Sequence, residues 1–241
     1  MRIKPLPSLP PFLAPLVSVV TAACLVSPAG LVLPGDLGAQ ESALRISPRV
    51  GVMSPDPYLY EYFANFSGDG PVEWTTAALG RALVLGLAVE RDVRGGAVVL
   101  RAEMLGAFEG WTSVTHSVVR PRDLFEPPYV ETTWMDVRSS VAMVSVQALL
   151  PLRLVVGRFR PYVMAGVGGK YYDFGVPSPP NEVSATLPDN GFTWGGDVGV
   201  GFTVPFKGLT WDVQGRDAMN RYWGKTQHDF LFTAGVLVPL G

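Results

Sequence analysis

Residues 192 to 204 alternate between two kinds of side chain, and this period of two limits what the chain can fold into. One set is apolar or glycine, and comprises Phe192, Trp194, Gly196, Val198, Val200, Phe202 and Val204; the intervening set is small or polar. Successive side chains of a β-strand point to opposite faces, so the pattern predicts a strand between an apolar and a polar environment. Residues 209 to 220 repeat it after the turn at Lys207-Gly208. The sequence therefore predicts a hairpin with one apolar face and one polar face.

The same alternation predicts eight strands, at 43–53, 74–90, 97–109, 135–150, 159–174, 192–205, 209–220 and 228–240. Several are longer than the five or six residues usual in soluble sheets, and a tilted strand that crosses a membrane needs about 9–11 residues. No stretch after the first 40 residues is long and apolar enough for a transmembrane helix. Strands of this length indicate a sheet that spans a membrane.

The connections between these strands alternate in length. Long ones are predicted at 54–73, 110–134 and 175–191, and short ones at 91–96, 151–158 and 207–208, with 221–227 intermediate. Short turns at one rim and long loops at the other are typical of outer-membrane barrels, which have an even number of antiparallel strands. The predicted fold is therefore all-β, an eight-stranded antiparallel up-and-down transmembrane β-barrel, located in the bacterial outer membrane.

The first 39 residues have the order of a secretory signal peptide. Arg2 and Lys4 precede an apolar run from 12 to 26, and Ala39 supplies a small residue for cleavage. The expected organisation is a signal peptide at 1–39 and an outer-membrane β-barrel at 40–241. Two alternatives are an uncleaved membrane anchor and a lipoprotein acylated at Cys24.

Two segments resemble small outer-membrane barrels of the OmpA, OmpX and OmpW type. Arg160-Pro161-Tyr162 opens a strand in which glycine alternates with larger residues, as in many members of that group. The last strand, 228–240, is similar to the C-terminal strand that the barrel-assembly machinery recognises. The resemblance implies an eight-stranded barrel, and it implies that this strand binds the assembly machinery.

Apolar side chains that face lipid would leave the polar set inside the barrel. We therefore predict a lumen charge network of Arg101, Glu103, Lys170, Asp197, Asp212, Gln214 and Arg216, because an eight-stranded barrel is just wide enough for side chains to fill it and buried charges need partners. Aromatic side chains near the strand ends predict belts at the membrane interfaces, made of Phe192, Trp194, Phe202, Trp211, Tyr222 and Trp223. A soluble lipocalin-like carrier, with its apolar face inside, is the alternative orientation.

Little in the sequence indicates chemistry. The net charge of −2 and the lack of a basic run argue against nucleic-acid binding, and Cys24 is the only cysteine. His116 lies beside Ser113 and Ser117, while His228 adjoins Asp229, whose side chain would point to the other face of the strand. We expect no catalytic residue, no cofactor and no metal site.

The expected function is that of a non-enzymatic outer-membrane barrel protein with an occluded polar lumen. It would have a structural or surface role, or allow narrow passage of a small solute. The expected partners are outer-membrane lipid, lipopolysaccharide and the barrel-assembly machinery, and the expected state is a monomer. The alternatives are a rim-active enzyme that modifies lipid A and the secreted lipocalin-like carrier.

Overall fold

A computed structural model describes residues 44–56, 60–64, 73–93, 95–120, 129–153, 158–175, 187, 189–222 and 224–240. The predicted signal peptide at 1–39 lies outside these residues. The described chain folds into ten strand segments: β1 (Leu44–Pro55), β2 (Tyr60–Ala64), β3 (Glu73–Leu79), β4 (Ala82–Val93), β5 (Val98–Arg120), β6 (Tyr129–Pro151), β7 (Arg160–Phe174), β8 (Gly191–Phe206), β9 (Leu209–Tyr222) and β10 (Lys225–Leu240). No described helix is both long and apolar enough to cross a membrane.

Eight of these segments close a ring through antiparallel pairing. β1 pairs with β4 on one side and with β10 on the other. From β4 the pairing continues through β5, β6, β7, β8 and β9, and returns through β10 to β1. β2 and β3 attach at one end of this ring, where β3 pairs with both β2 and β5. We call this the outer or upper end of the barrel, and the opposite end the inner or lower end. The predicted all-β, eight-stranded up-and-down barrel is confirmed.

The predicted strand at 74–90 is divided in the structure. β3 and β4 are separated at Gly80-Arg81, where the backbone N–H of Gly80 donates to the carbonyl of Trp111 at 2.7 Å. The interruption changes which residues face inward. Leu79 is buried inside the barrel, whereas Leu83 and Leu85, which an unbroken strand would place on the same face as Leu79, are exposed.

The long loop predicted at 110–134 is largely wrong, because β5 and β6 are each 23 residues long and pair through most of it. At about 3.3 Å per residue, such strands reach well beyond a bilayer core of about 30 Å even when tilted. β6 pairs with β7 only from Ser139 onward, so residues 129–138 form an edge. We call the four-stranded extension made of β2, β3, 110–120 and 129–138 the outer sheet. The predicted last loop, 221–227, is also shorter, since β9 ends at Tyr222 and β10 begins at Lys225.

The two faces of the barrel wall carry different side chains. Along β8, Trp194 and Val200 point outward with 74% and 62% of their surface exposed, while Asp197 between them is buried. The outward set in the lower two thirds of the barrel is apolar, and includes Val50, Val52, Leu83, Leu85, Leu100, Val146, Val163, Val167, Val198, Phe230 and Phe232. A continuous outward band of exposed aliphatic and aromatic side chains is the feature of a barrel wall that faces lipid.

Candidate functional site in the barrel lumen

Arg101 is the centre of the lumen. Its side chain enters from β5 and is 1% exposed. The guanidinium donates to Glu90 of β4 through Nε at 2.8 Å and through Nη2 at 2.5 Å. Nη2 also donates to Asp212 of β9 at 2.9 Å, and Nη1 donates to Gln214. One cation therefore joins strands from opposite parts of the ring, in the fork geometry that suits arginine to carboxylates.

Asp212 connects this arginine with a second one. Its carboxylate forms an ion pair with Arg49 of β1 and accepts a hydrogen bond from the hydroxyl of Tyr162 at 2.7 Å. Arg49 also lies 3.6 Å from Glu90 and 3.5 Å from Glu103. The two buried arginines thus share carboxylates, and this distributes their charge across the lower lumen.

A third arginine extends the cluster upward. Arg216 of β9 lies 2.5 Å from Glu103 and 3.0 Å from Asp197. Gln147 of β6 donates to Asp197 at 2.7 Å, and Gln214 donates to Glu103 at 3.4 Å. These contacts connect Arg216 to the group around Arg101, so the cluster is one network.

Lys170 forms a separate site nearer the outer end. Its ammonium group donates to Asp229 at 2.5 Å, to Asn220 at 2.8 Å and to the carbonyl of Ala218 at 2.5 Å. The hydroxyl of Tyr172 donates to Asn220 at 3.2 Å. A cavity of about 30 Å³ separates Lys170 from Arg216, which is room for one or two waters.

Apolar side chains fill the lumen above and below these charges. The outer cluster lies around Tyr172, whose ring centroid is 4.5 Å from that of Tyr222 and 6.5 Å from that of Phe174. It also contains Met53, Ala77, Leu79, Val84, Leu105, Val114, Val137, Val141, Met143 and Leu231. At the inner end, Val99, Leu149, Tyr162 and Met164 pack together. The lumen is filled along its length by an apolar plug, a charged network and a smaller apolar cluster.

All seven residues predicted for the lumen network lie on the inward face and are buried: Arg101, Glu103, Lys170, Asp197, Asp212, Gln214 and Arg216. Six of them belong to the network around Arg101, whereas Lys170 has its own partners. The sequence reasoning missed Arg49, Glu90 and Asp229. Each lies at one of the alternate positions of its strand that point inward. Assigning both faces along the whole of every predicted strand would therefore have found them.

The residues predicted for the aromatic belt do not all point outward. Phe192 and Trp194 are exposed near the outer end of β8, with their ring centroids 5.0 Å apart. At the inner end Trp211 is exposed, and Phe202 packs edge-on against Phe159 at 5.3 Å. Tyr222 is a correction: it has the parity of Asp212, points into the lumen and donates from its hydroxyl to the carbonyl of Asp189. Trp223 lies outside the described residues.

Eight antiparallel strands, an apolar outer band edged by aromatic side chains and a charged interior are together the features of an outer-membrane barrel. The chain is therefore an outer-membrane β-barrel protein. This orientation leaves the apolar face in lipid and not around a ligand, unlike the lipocalin-like alternative.

The two histidines are not part of the lumen network. His228 points outward from β10, and its Nδ1 lies 2.8 Å from Asp217; Asp229 is buried on the other face. His116 of β5 has Nδ1 2.9 Å from the hydroxyl of Thr75 and Nε2 3.4 Å from Glu73. Among the described residues no three His, Cys, Asp or Glu side chains are grouped as a metal site.

No protein-family model matches the chain, and no curated protein matches its sequence. Several solved structures are similar to this chain. Neisserial surface protein A has a TM-score of 0.47 at 7% identity, over 82% of this chain and 97% of that chain. Ail, the attachment invasion locus protein of Yersinia pestis, has a TM-score of 0.37 at 10% identity, over 82% and 99%. Outer membrane protein W of E. coli has a TM-score of 0.32 at 17% identity, over 83% and 100%. At these identities no residue of this protein takes a role from them.

Proposed function

We propose that this outer-membrane β-barrel protein is not an enzyme, and that it acts at the cell surface with a lumen closed to solutes. The observation that carries the proposal is the double closure of the lumen. Arg101, Arg216 and their carboxylates fill the lower half, and the apolar cluster around Tyr172 fills the upper half. An ion would have to displace both layers, and the apolar layer offers it no replacement for water.

Conductance across planar lipid bilayers tests the closed lumen. The purified wild-type barrel is expected to give no stable stepwise openings. Replacing both arginines, in Arg101→Ala/Arg216→Ala, opens a gap in one layer, and Tyr172→Ala/Tyr222→Ala opens a gap in the other. Because either layer alone closes the lumen, only the variant that combines all four changes should conduct, and it serves as the positive control. Stable openings from the wild type would refute the closed lumen.

The surface role is assigned to the outer sheet and the loops around it. The sheet stands beyond the membrane, and its edge strand exposes Tyr129, Val130 and Trp134. Loops and extensions at the outer rim of a rigid barrel are where binding residues are usually found. We place the contacts of the folded protein with outer-membrane lipid on the apolar band, and its contact with the assembly machinery on residues 228–240. A monomer suffices for this arrangement.

The arrangement of His116 is the strongest feature in favour of an enzyme, and its geometry argues against one. The imidazole of His116 lies between the hydroxyl of Thr75 and the carboxylate of Glu73. However, Thr75 has no exposed surface, so its hydroxyl cannot reach a substrate without opening of the sheet. Mass spectrometry of lipid A from cells that express the protein should show no new species. A new mass that is lost in His116→Ala or His228→Ala would overturn the non-enzymatic assignment.

A further inference from the structure

A cavity of about 530 Å³ lies where the bulge of β5 meets residues 138–140 of β6 and the end of β7. We call it the rim cavity. Its walls include Trp111, Arg138, Ser140 and Asp173, all of which belong to the outward-facing set because their neighbours along each strand are buried. The cavity is therefore not part of the lumen, and neither the charged network nor the apolar plug occupies it.

Two features of the backbone create this space. The β5–β6 register shifts between Ala107 and Gly110, so the outward positions change from even to odd and Trp111 points outward. β7 ends beside it, where the N–H of Gly175 donates to the carbonyl of Arg138 at 2.8 Å. Several side chains of the cavity walls are small, because residues 110 and 175 are glycines and residues 139 and 140 are serines.

The polar groups of the rim cavity are placed for a ligand with both charge and hydroxyl groups. Trp111 and Arg138 are direct partners in the β5–β6 register, and the guanidinium carbon is 5.6 Å from the indole centroid. No carboxylate of the described residues lies within salt-bridge distance of Arg138. Asp173 is held by Asn190, whose amide donates to it at 2.7 Å.

The cavity lies at the level of the lipid headgroups. Phe108, Phe192 and Trp194 are exposed aromatic side chains at the outer end of the apolar band. Trp111 is three residues further along β5, but one of these is the extra residue of the bulge, so it lies about 5 Å higher for a strand tilted by about 40°. At this level the outward residues Arg138, Ser140 and Asp173 are polar.

We propose that the rim cavity binds a phosphorylated sugar. Arg138 would bind the phosphate through its fork of N–H donors, and Trp111 would present its free indole face to the apolar face of the sugar ring. The carboxylate of Asp173 and the hydroxyl of Ser140 would bind sugar hydroxyl groups. The volume is in the range of small-molecule sites and exceeds what a bare phosphate would fill. The assignment is independent of whether the lumen conducts.

The first arm of the test uses soluble probes. Calorimetry on the refolded barrel in micelles free of glycolipid compares glucosamine 6-phosphate with glucosamine. The second arm reconstitutes the barrel in nanodiscs with lipid A or with dephosphorylated lipid A, and measures how much of each copurifies. Binding in the first arm identifies a free sugar phosphate as a sufficient ligand. Binding in the second arm alone identifies the headgroup of an outer-leaflet glycolipid.

In whichever arm binds, Arg138→Gln should weaken binding about tenfold or more, because it removes charge-assisted hydrogen bonds. Trp111→Leu should weaken it roughly fivefold. Arg120→Gln and Trp134→Leu remove the same residue types elsewhere on β5 and β6 and should leave binding unchanged. If Trp111→Leu does not fold, Ser140→Phe replaces it and should block the cavity.

The proposal is overturned by any of three results. These are no binding in either arm, equal binding of the phosphorylated and unphosphorylated probes, and wild-type affinity in both Arg138→Gln and Ser140→Phe. Folding of each variant is checked first by the change in gel mobility between unheated and heated samples.

Discussion

Replacing Arg101 by methionine should destabilise the barrel more than removal of a surface arginine would. The guanidinium is buried and contacts Glu90, Asp212 and Gln214. The described lumen buries four cations and five carboxylates, so the substitution leaves three cations against five carboxylates. Breaking a buried ion pair by removing one partner costs about 3–5 kcal/mol, and we expect Arg101→Met to lower the free energy of unfolding by that amount.

A second substitution separates charge imbalance from lost packing. Asp212→Asn in the Arg101→Met background removes one carboxylate, while the amide oxygen still accepts from the hydroxyl of Tyr162. The excess of anions over cations then returns to one. We expect the double variant to be less destabilised than the sum of the two single variants by about 1–3 kcal/mol, the coupling usual for residues of one network.

The assay is urea unfolding in lipid vesicles, followed by tryptophan fluorescence and by gel mobility without heating. Arg120→Met is the matched control, because Arg120 pairs with Glu131 in the outer sheet, where both side chains are about half exposed. Its effect should stay below about 1 kcal/mol. An Arg101→Met barrel as stable as the Arg120→Met control would refute the reasoning, and so would strict additivity in the double variant.

Three other substitutions test the wall and the outer sheet. Val200→Arg, near the middle of the lipid-facing band, should destabilise by about 2–4 kcal/mol in vesicles, and Leu209→Arg at the inner rim by about 0–1 kcal/mol; equal effects would contradict the membrane orientation. Gly199→Val should reduce the yield of folded barrel on gels far more than Gly215→Val, because a Cβ at Gly199 meets a backbone oxygen at 2.5 Å and one at Gly215 meets only a phenyl ring at 3.2 Å. Replacing residues 115–134 by Asn-Gly should leave a heat-modifiable barrel, since the barrel's own ring of pairs closes below them.

Where the alternation is uninterrupted, the sequence predicts the structure closely. The predicted strand 192–205 is Gly191–Phe206 in the structure, and the predicted turn at Lys207-Gly208 joins it to β9. Both residues have positive φ, at 51° and 79°, as a tight hairpin turn with this twist requires. In such strands every second residue faces the same way, so one residue known to point inward identifies the other inward residues. Asp197, Asp212 and Arg216 could therefore be assigned to the lumen from the sequence.

The pairing of the charges could not be predicted in the same way. Parity assigns Arg101 to the lumen, but its partners lie on β4 and β9, 11 and 111 residues away. Which charges meet depends on the relative heights of strands around the ring, and those heights are set by the stagger of the whole barrel. Glu90 lies at the end of the predicted strand, and Arg49 lies in a strand that was given no polar face, so both were left out.

The bulge at Ala107–Gly110 shows where odd and even positions no longer identify the inward and outward faces of a strand. One extra residue reverses the two faces, and nothing in the composition of this stretch distinguishes a bulge from the start of a loop. The sequence therefore predicted a loop from 110, which left Trp111 without a predicted cross-strand partner, although Arg138 lay in the predicted strand 135–150. The structure makes them cross-strand partners at the headgroup level. This irregularity thus both hides the rim cavity from sequence reasoning and creates it, because an unbulged β5 would direct Trp111 into the lumen.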